Sequence, residues 1–344
     1  MKMKKLAALI LAGAMALSMM ACGGSEEAAT TDTEAATEEV ATEAAEETAA
    51  EGTVYNVGIC QLVQHDALDA ATQGFKDALV EAFGENVVFD EQNASGDSAT
   101  CATIVNQFVA SEVDLIMANA TPALQAAVAS TADIPIVATS VTDYATALDI
   151  ADWTGTTGIN VTGTADLAPL EEQAAMIKEL VPDVKKVGIL YCSAEANSKY
   201  QATVIGAALT EMGIEWEEFT SADSNDVAMV TQTACDTCDV IYIPTDNTMA
   251  SSTEIINNVA EPAGVPIIAG EEGICKGCGI GTLSIDYYSI GFRAGEMAAD
   301  ILANGADPAT MEIDFADELT KKVMASRCET LGITVPEDYE AIAE

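Results

Sequence analysis

The chain has 344 residues, 49% of them hydrophobic and 20% charged, which is length and core enough for about two domains. Its 56 acidic residues against 13 basic ones leave a formal charge of −43, which repels nucleic acid and anionic lipid headgroups alike. Beyond residue 20 no apolar run approaches the roughly 18 residues needed to span a bilayer, which excludes a channel or a multispan transporter.

The N-terminus reads as an address. Lys2, Lys4 and Lys5 precede an apolar stretch from Leu6 to Met20, and small residues then lead into Cys22, Gly23 and Gly24. This is the layout of an export signal peptide. Ala21-Cys22 with glycines behind it resembles a bacterial lipoprotein signal, although Met19 stands where Leu is usual. On that reading residues 1–21 are removed and Cys22 is lipidated; ordinary cleavage to a free product is the alternative. From Gly23 to Gly52 the chain is almost entirely Ala, Glu and Thr, with ten acidic residues and no basic one. Such a segment cannot bury enough surface to offset its ordering entropy, so residues 22–52 are expected to be a disordered acidic tether. A solvated Ala/Glu helix would serve as the same spacer. Without residues 1–52 the net charge is still −36.

From Val54 onward short apolar runs alternate with amphipathic ones. Strands are predicted at Val54–Leu62, Asn86–Asp90, Asp114–Ala118 and Ile134–Thr139, with helices at Ala67–Phe83, Ser98–Ala110 and Pro122–Ser130 between them. After Val161 the pattern restarts. Helices at Pro169–Leu180, Ala196–Met212, Val227–Ala234 and Met249–Ala263 alternate with strands at Lys186–Tyr191, Ile214–Phe219, Val240–Pro244 and Pro266–Ala269. A strand at Gly281–Ile285 leads into a helix at Ser289–Leu302, and short runs at Met311–Phe315 and Lys322–Ala325 follow. Strand–helix alternation means βαβ units and parallel sheets, and two rounds of it mean an α/β chain with two doubly wound lobes.

Ligands of such sheets bind beyond the carboxyl ends of the strands. The loops there are Gln64-His65-Asp66, Asn119 to Pro122, Thr139 to Tyr144, Cys192 to Ser198, Thr245 to Thr248 and Gly270 to Glu272. Most run straight into a helix N-terminus, whose free amides suit an anion. Asp246 and Glu271 offer carboxylates, which suit a cation, and the two together suit a zwitterion. Lys199 is the only basic residue in or beside these loops, which disfavours a phosphorylated ligand. Each loop taken singly is equally well an ordinary cap and turn.

These strings in this order resemble the extracytoplasmic solute receptors of ABC importers, of the tryptophan/tyrosine type. The matching stretches are Val57-Gly58 through Ala70, Asn93 to Asp97, Ala120 to Ala123, Val141-Thr142-Asp143 and Asn160 to Gly163. The second lobe matches at Glu195 to Ser198, Pro244 to Thr248, Ala269 to Glu272 and Ile285 to Tyr288. The resemblance implies a type I periplasmic binding protein fold closing on a ligand, with three crossovers near Gly163, Ile285 and Phe315. The expected lobes are then residues 53–163 with 286–315, and 164–285 with 316–344. It implies that Thr121, Asn197, Ser198, Asp246 and Asn247 hold the ligand's amino and carboxylate groups. Gln64, His65, Ser140, Glu195 and Glu271 are further candidate contacts, and Tyr144 or Tyr287 is expected to line a slot for an aromatic ring. Cys192 and Tyr144 depart from the family pattern, which more often has Asn and Pro there. The implied partners are an ABC permease and its ATPase subunits, with the membrane reached only through the lipid anchor and the receptor itself a monomer.

Two rivals stay open on the sequence. Asn and Asp loops also bind the hydroxyls of sugars and nucleosides. Nine cysteines also admit a redox or metal-handling role, carried by the pairs Cys235/Cys238 and Cys275/Cys278. Each pair precedes a strand, at the edge of the second sheet away from the ligand loops, and could be free thiols, disulfides or a four-thiolate metal site. No enzyme is expected. The only histidine, His65, has no nucleophile paired with it in sequence, and Gly279-Ile280-Gly281 lacks the third glycine of a dinucleotide fingerprint. No phosphate loop is present, so no cofactor is expected.

Overall fold

The computed structural model describes residues 52–316 and 319–343; the expected signal peptide, Cys22 and the tether up to residue 51 lie outside the described residues. The first round of the pattern gives β1 (Tyr55–Gln61), α1 (Asp66–Phe83), β2 (Val87–Asn93), α2 (Ser98–Ala110), β3 (Leu115–Asn119), α3 (Thr121–Ser130), β4 (Ile136–Val141), α4 (Tyr144–Leu148) and β5 (Val161–Ala165). The second gives α5 (Leu170–Leu180), β6 (Lys186–Cys192), α6 (Ala196–Glu211), β7 (Glu215–Ser221), α7 (Val227–Thr237), β8 (Val240–Ile243), α8 (Asn247–Ala250), α9 (Thr253–Ala263), β9 (Ile267–Ala269), α10 (Glu272–Cys278) and β10 (Gly281–Ser284). The chain ends with α11 (Tyr287–Asn304), β11 (Asp314–Phe315), β12 (Thr320–Val323), α12 (Ala325–Leu331) and β13 (Glu340–Ala341).

The strands form two sheets, in the orders β11-β5-β4-β3-β1-β2 and β13-β12-β10-β9-β8-β6-β7. Every pairing is parallel except β10 with β12. The expectation of an α/β chain with two doubly wound parallel lobes is therefore borne out. Helices cover both faces, so β3, β4 and β8 are buried along their whole lengths. The chain passes between the sheets three times, after Ala165, after Ser284 and after Phe315.

Several helices begin on a carboxylate that accepts a backbone amide: Asp97 for α2, Asp143 for α4, Asp246 for α8, Glu271 for α10 and Asp286 for α11. Helix α10 was not expected. Gly273, Gly277, Cys275 and Cys278 give its sequence little helical character. It is held at both ends, by Glu271 at the start and at the finish by Arg327. The Arg327 guanidinium donates to the carbonyls of Cys275 (3.0 Å), Lys276 (2.9 Å), Gly277 (2.7 Å) and Gly279 (3.1 Å). The helix expected over Met249–Ala263 is two helices, α8 and α9, separated at Ser251 and Ser252.

Helices α1 and α11 lie parallel and very close. A Cβ on Gly74 would come within 2.2 Å of the Tyr288 carbonyl, and one on Gly291 within 2.1 Å of the Ala71 carbonyl. The absence of a side chain at those two positions is what permits the approach. Both helices start at the carboxyl edge of the first sheet, after His65 and after Asp286.

The eight described cysteines are all free, and among the described residues no three His, Cys, Asp or Glu side chains are placed to hold a metal ion. Cys235 lies in α7 with Cys238 next to its end, and Cys275 and Cys278 are residues of α10; each pair precedes a strand, β8 and β10, as expected, but on a helix end rather than a flexible loop. Neither the disulfide nor the four-thiolate alternative finds support.

Candidate functional site

The carboxyl edges of the two sheets face each other, and one side-chain bond between the candidate residues closes the gap. His65 Nε2, at the head of α1, lies 3.2 Å from Asn247 Oδ1, at the head of α8. On one side of it is a crevice of about 270 Å³ lined from the first lobe by Val63, Asp97 and Pro122 and from the second by Cys192, Glu195 and Asn247. On the other side a second crevice of about 430 Å³ is lined by Asp66, Ala70, Glu271, Lys276 and Tyr287. Burial holds His65 below its ordinary imidazole range, against the pull of Asn247, Glu195, Asp69 and Asp66. Gln64, beside it, is exposed.

In the first lobe two non-glycine residues take positive φ on neighbouring strand ends, Ala120 at 92° and Ser140 at 55°. Ala120 N donates to the Thr139 carbonyl (3.1 Å), so the two strained turns touch. Ser140 sits where the β4–β5 register shifts, between Ala138 and Val141. Such irregularities re-aim side chains and are concentrated at binding sites. The Ser140 and Thr121 hydroxyls are buried and have no hydrogen-bond partner. Tyr144 is placed differently from the ring slot expected of it. Its hydroxyl lies 3.0 Å from the Ala138 carbonyl and 3.1 Å from the Thr164 carbonyl, within the core under the bulge.

In the second lobe the acidic candidates are architectural. Glu195 accepts on Oε2 from the Asn247 backbone (3.1 Å) and side-chain amides (2.7 Å), and on Oε1 from the Thr248 amide and hydroxyl (2.9 Å each). Asp246 accepts from Cys192 N (2.7 Å) and Met249 N (2.8 Å), which ties the β6 end to α8. Glu271 accepts from Gly273 N (2.6 Å) and Ile274 N. Burial first, and then the Glu195 charge, pushes the Asp246 carboxyl well above the carboxylate range; burial raises Glu271 to about 7. Asn197 donates to the Thr245 carbonyl (3.0 Å), while its Oδ1 is buried without a partner; Ser198 is fully buried beside it.

The crossovers supply the back wall. The Tyr287 hydroxyl donates to Asp166 Oδ2 (2.8 Å), and so is committed in the same way as that of Tyr144. Asp166 was not singled out in the sequence. It is 3% exposed, its Oδ1 has no partner, and burial raises its carboxyl. No local pattern marks it: it lies between β5 and α5, in Asp166-Leu167-Ala168-Pro169, and caps nothing. No ion pair among the described residues includes Asp166, Glu195, Asp246 or Glu271. The chemical character is therefore an acidic, amide- and hydroxyl-lined gap with buried acceptors on both lobes left open.

Residues 56–344 match the family model for ABC transporter substrate binding proteins. The chain is 35% identical over 321 residues to a tyrosine-binding protein of Clostridioides difficile, covering 92% of this chain and 89% of the relative. It is also similar to a Streptococcus pneumonia structure of an ABC domain in complex with L-Trp. That likeness has 30% identity, a TM-score of 0.81, and covers 85% of this chain and all of the other. A ligand-free, open substrate-binding protein with adhesive properties from Clostridium difficile matches at 34% identity over 84% of this chain and 99% of its own, with a TM-score of 0.63. At nearly equal identity the chain thus superposes better on the ligand-bound structure than on the open one, in keeping with the His65–Asn247 contact.

Proposed function

The chain belongs to the ABC transporter substrate-binding protein family, and from that premise we propose that it captures an aromatic amino acid as a zwitterion between its lobes. Membership makes it the extracytoplasmic subunit that hands a small molecule to a permease. The observation that carries the ligand class is the set of buried, unpaired polar atoms on facing walls: Thr121, Ser140 and Asp166 on one, Asn197 on the other. Buried polar groups are normally bonded, so such a set marks where a polar ligand belongs. The relatives' ligands, tyrosine and L-Trp, support an aromatic side chain. Closure is favoured because only the closed form lets both walls touch the ligand.

Calorimetric titration with the twenty amino acids, several sugars and several nucleosides tests this reading. Tyrosine or tryptophan should bind most tightly; a sugar or nucleoside binding more tightly than any amino acid would overturn it. We further propose that Cys22 carries the lipid anchor. Cys22→Ala should move the protein out of the membrane fraction without changing ligand affinity.

A further inference from the structure

We propose that Asp166 is the partner of the ligand's ammonium group, with Oδ1 as the accepting atom. This rests on the reading of the ligand as an amino acid. Four carboxylates are buried around the gap, and the structure separates them by what their oxygens already do. Glu195, Asp246 and Glu271 each have both oxygens engaged, by amides and hydroxyls of the strand-end loops that they hold together. Each begins or braces a helix. Asp166 does neither. Its one hydrogen bond of full geometry comes from Tyr287; the Thr142 hydroxyl, although near enough to lower its pKa, makes no such bond, and Oδ1 is buried without a partner.

Its place in the fold suits a ligand contact. Asp166 N donates to the Val141 carbonyl (3.3 Å), so Asp166 stands beside the strand end that carries Ser140. Ser140 Oγ is itself buried and unpaired. The Asp166 charge reaches another buried carboxylate, Glu271, and pushes it further upward. A buried carboxylate with an open lone pair, near a second carboxylate and in none of the ion pairs among the described residues, is costly until a positive group arrives. An ammonium group has three donors and one charge, and so meets both deficits at once. Because Asp166 lies on a crossover between the lobes, the same contact would tie the ligand to the hinge.

The test measures preference for the amine rather than affinity alone. L-tyrosine and 3-(4-hydroxyphenyl)propionate, its analogue without the amino group, are titrated into the mature wild type and into Asp166→Asn. Asparagine keeps the shape and can still accept from Tyr287. Wild type should prefer tyrosine by at least about 30-fold, and the variant should bind the two within a few-fold. A variant that keeps the wild-type ratio overturns the proposal. If wild type binds tryptophan instead, the ratio is measured with tryptophan and indole-3-propionate; if it binds a non-aromatic amino acid, the aromatic reading falls, and the ratio is measured with that amino acid and its des-amino acid. If no such pair is discriminated by wild type, the ammonium contact falls with it. A crystal structure of wild type with the preferred amino acid decides the matter should the variant not fold. The ammonium nitrogen is expected within hydrogen-bond distance of Asp166 Oδ1; contact with Asp246 or Glu271 in its place would overturn the assignment.

Discussion

His65 Nε2 and Asn247 Oδ1, 182 residues apart in sequence, meet at 3.2 Å and join the head of α1 to the head of α8. Asn247 Oδ1 can only accept, so Nε2 donates; burial favours the neutral ring, whose buried Nδ1 is then an acceptor without a partner. The bond joins one lobe to the other, so opening the cleft must break it, and it should act as a latch.

The latch should be modest and pH-dependent. His65→Ala should weaken ligand binding by about two- to tenfold, the worth of one neutral hydrogen bond. The closed form holds His65 below its ordinary value of 6.5, so closing releases a proton when the open form carries one. Wild-type affinity should be level above about pH 6.5 and fall below it. Asp66, Asp69 and Glu195 act on the ring by their charge, so the comparison is with His65→Gln across the same range. A wild-type profile parallel to that of the variant would remove the latch from the mechanism.

Glu271 gives the ligand-free protein an unusual pH profile. Its carboxyl is raised to about 7, above its ordinary 4.5, by burial. Stability from this group is full below about pH 4.5 and is lost as pH rises through about 7; Asp246 acts in the same direction. The melting temperature without ligand should therefore fall between pH 5 and pH 8, and Glu271→Gln should flatten the slope. A wild-type melting temperature that climbs over that interval contradicts the burial of an unpaired charge.

Tyr144 should prove structural. Tyr144→Phe removes a buried hydroxyl from beside two carbonyls and should cost about 1–3 kcal/mol of stability while leaving a cooperative transition. Gly163→Ala should cost more, about 3 kcal/mol or above. Its Cβ would stand 1.8 Å from the Ala138 carbonyl oxygen, at a φ of 147°. Urea denaturation of both variants measures the order; equal or reversed costs would show that the bulge is softer than its geometry implies.

The eight described cysteines should behave as thiols of unequal access. Cys235 is only half-buried, whereas the other seven are buried. Burial lifts the Cys235 thiol to about 11, so among the eight iodoacetamide at neutral pH should label Cys235 alone, and slowly. In denaturant without reductant all eight should label. Pairs that label only after reduction would establish disulfides.

The alternation of strands and helices was legible because each element is long and one face of each helix is apolar. The site was legible as loops rather than as roles. Strand direction places His65, Thr121, Ser140, Asn197, Asp246 and Glu271 at the right edge, but nothing in sequence tells a capping carboxylate from a contacting one. That distinction depends on where the Cys192, Met249, Gly273 and Ile274 amides point. Asp166 was invisible for the converse reason: it obeys no local rule. Helix α10 was hidden because Glu271 and Arg327, which hold it, lie at its two ends and far apart in sequence.

The α1–α11 pair has a mechanical consequence. Because Gly74 and Gly291 let the two backbones lock together in parallel, the head of α1 and the head of α11 belong to one stiff body. One head carries the His65 latch; the other begins at Tyr287, which grips Asp166 on the first crossover. Any rotation of the lobes must therefore move latch and pivot in step, as the jaw and fulcrum of a single forceps arm. A side chain forced between the helices at Gly291 would loosen that arm and blunt the grip of a cleft it does not touch.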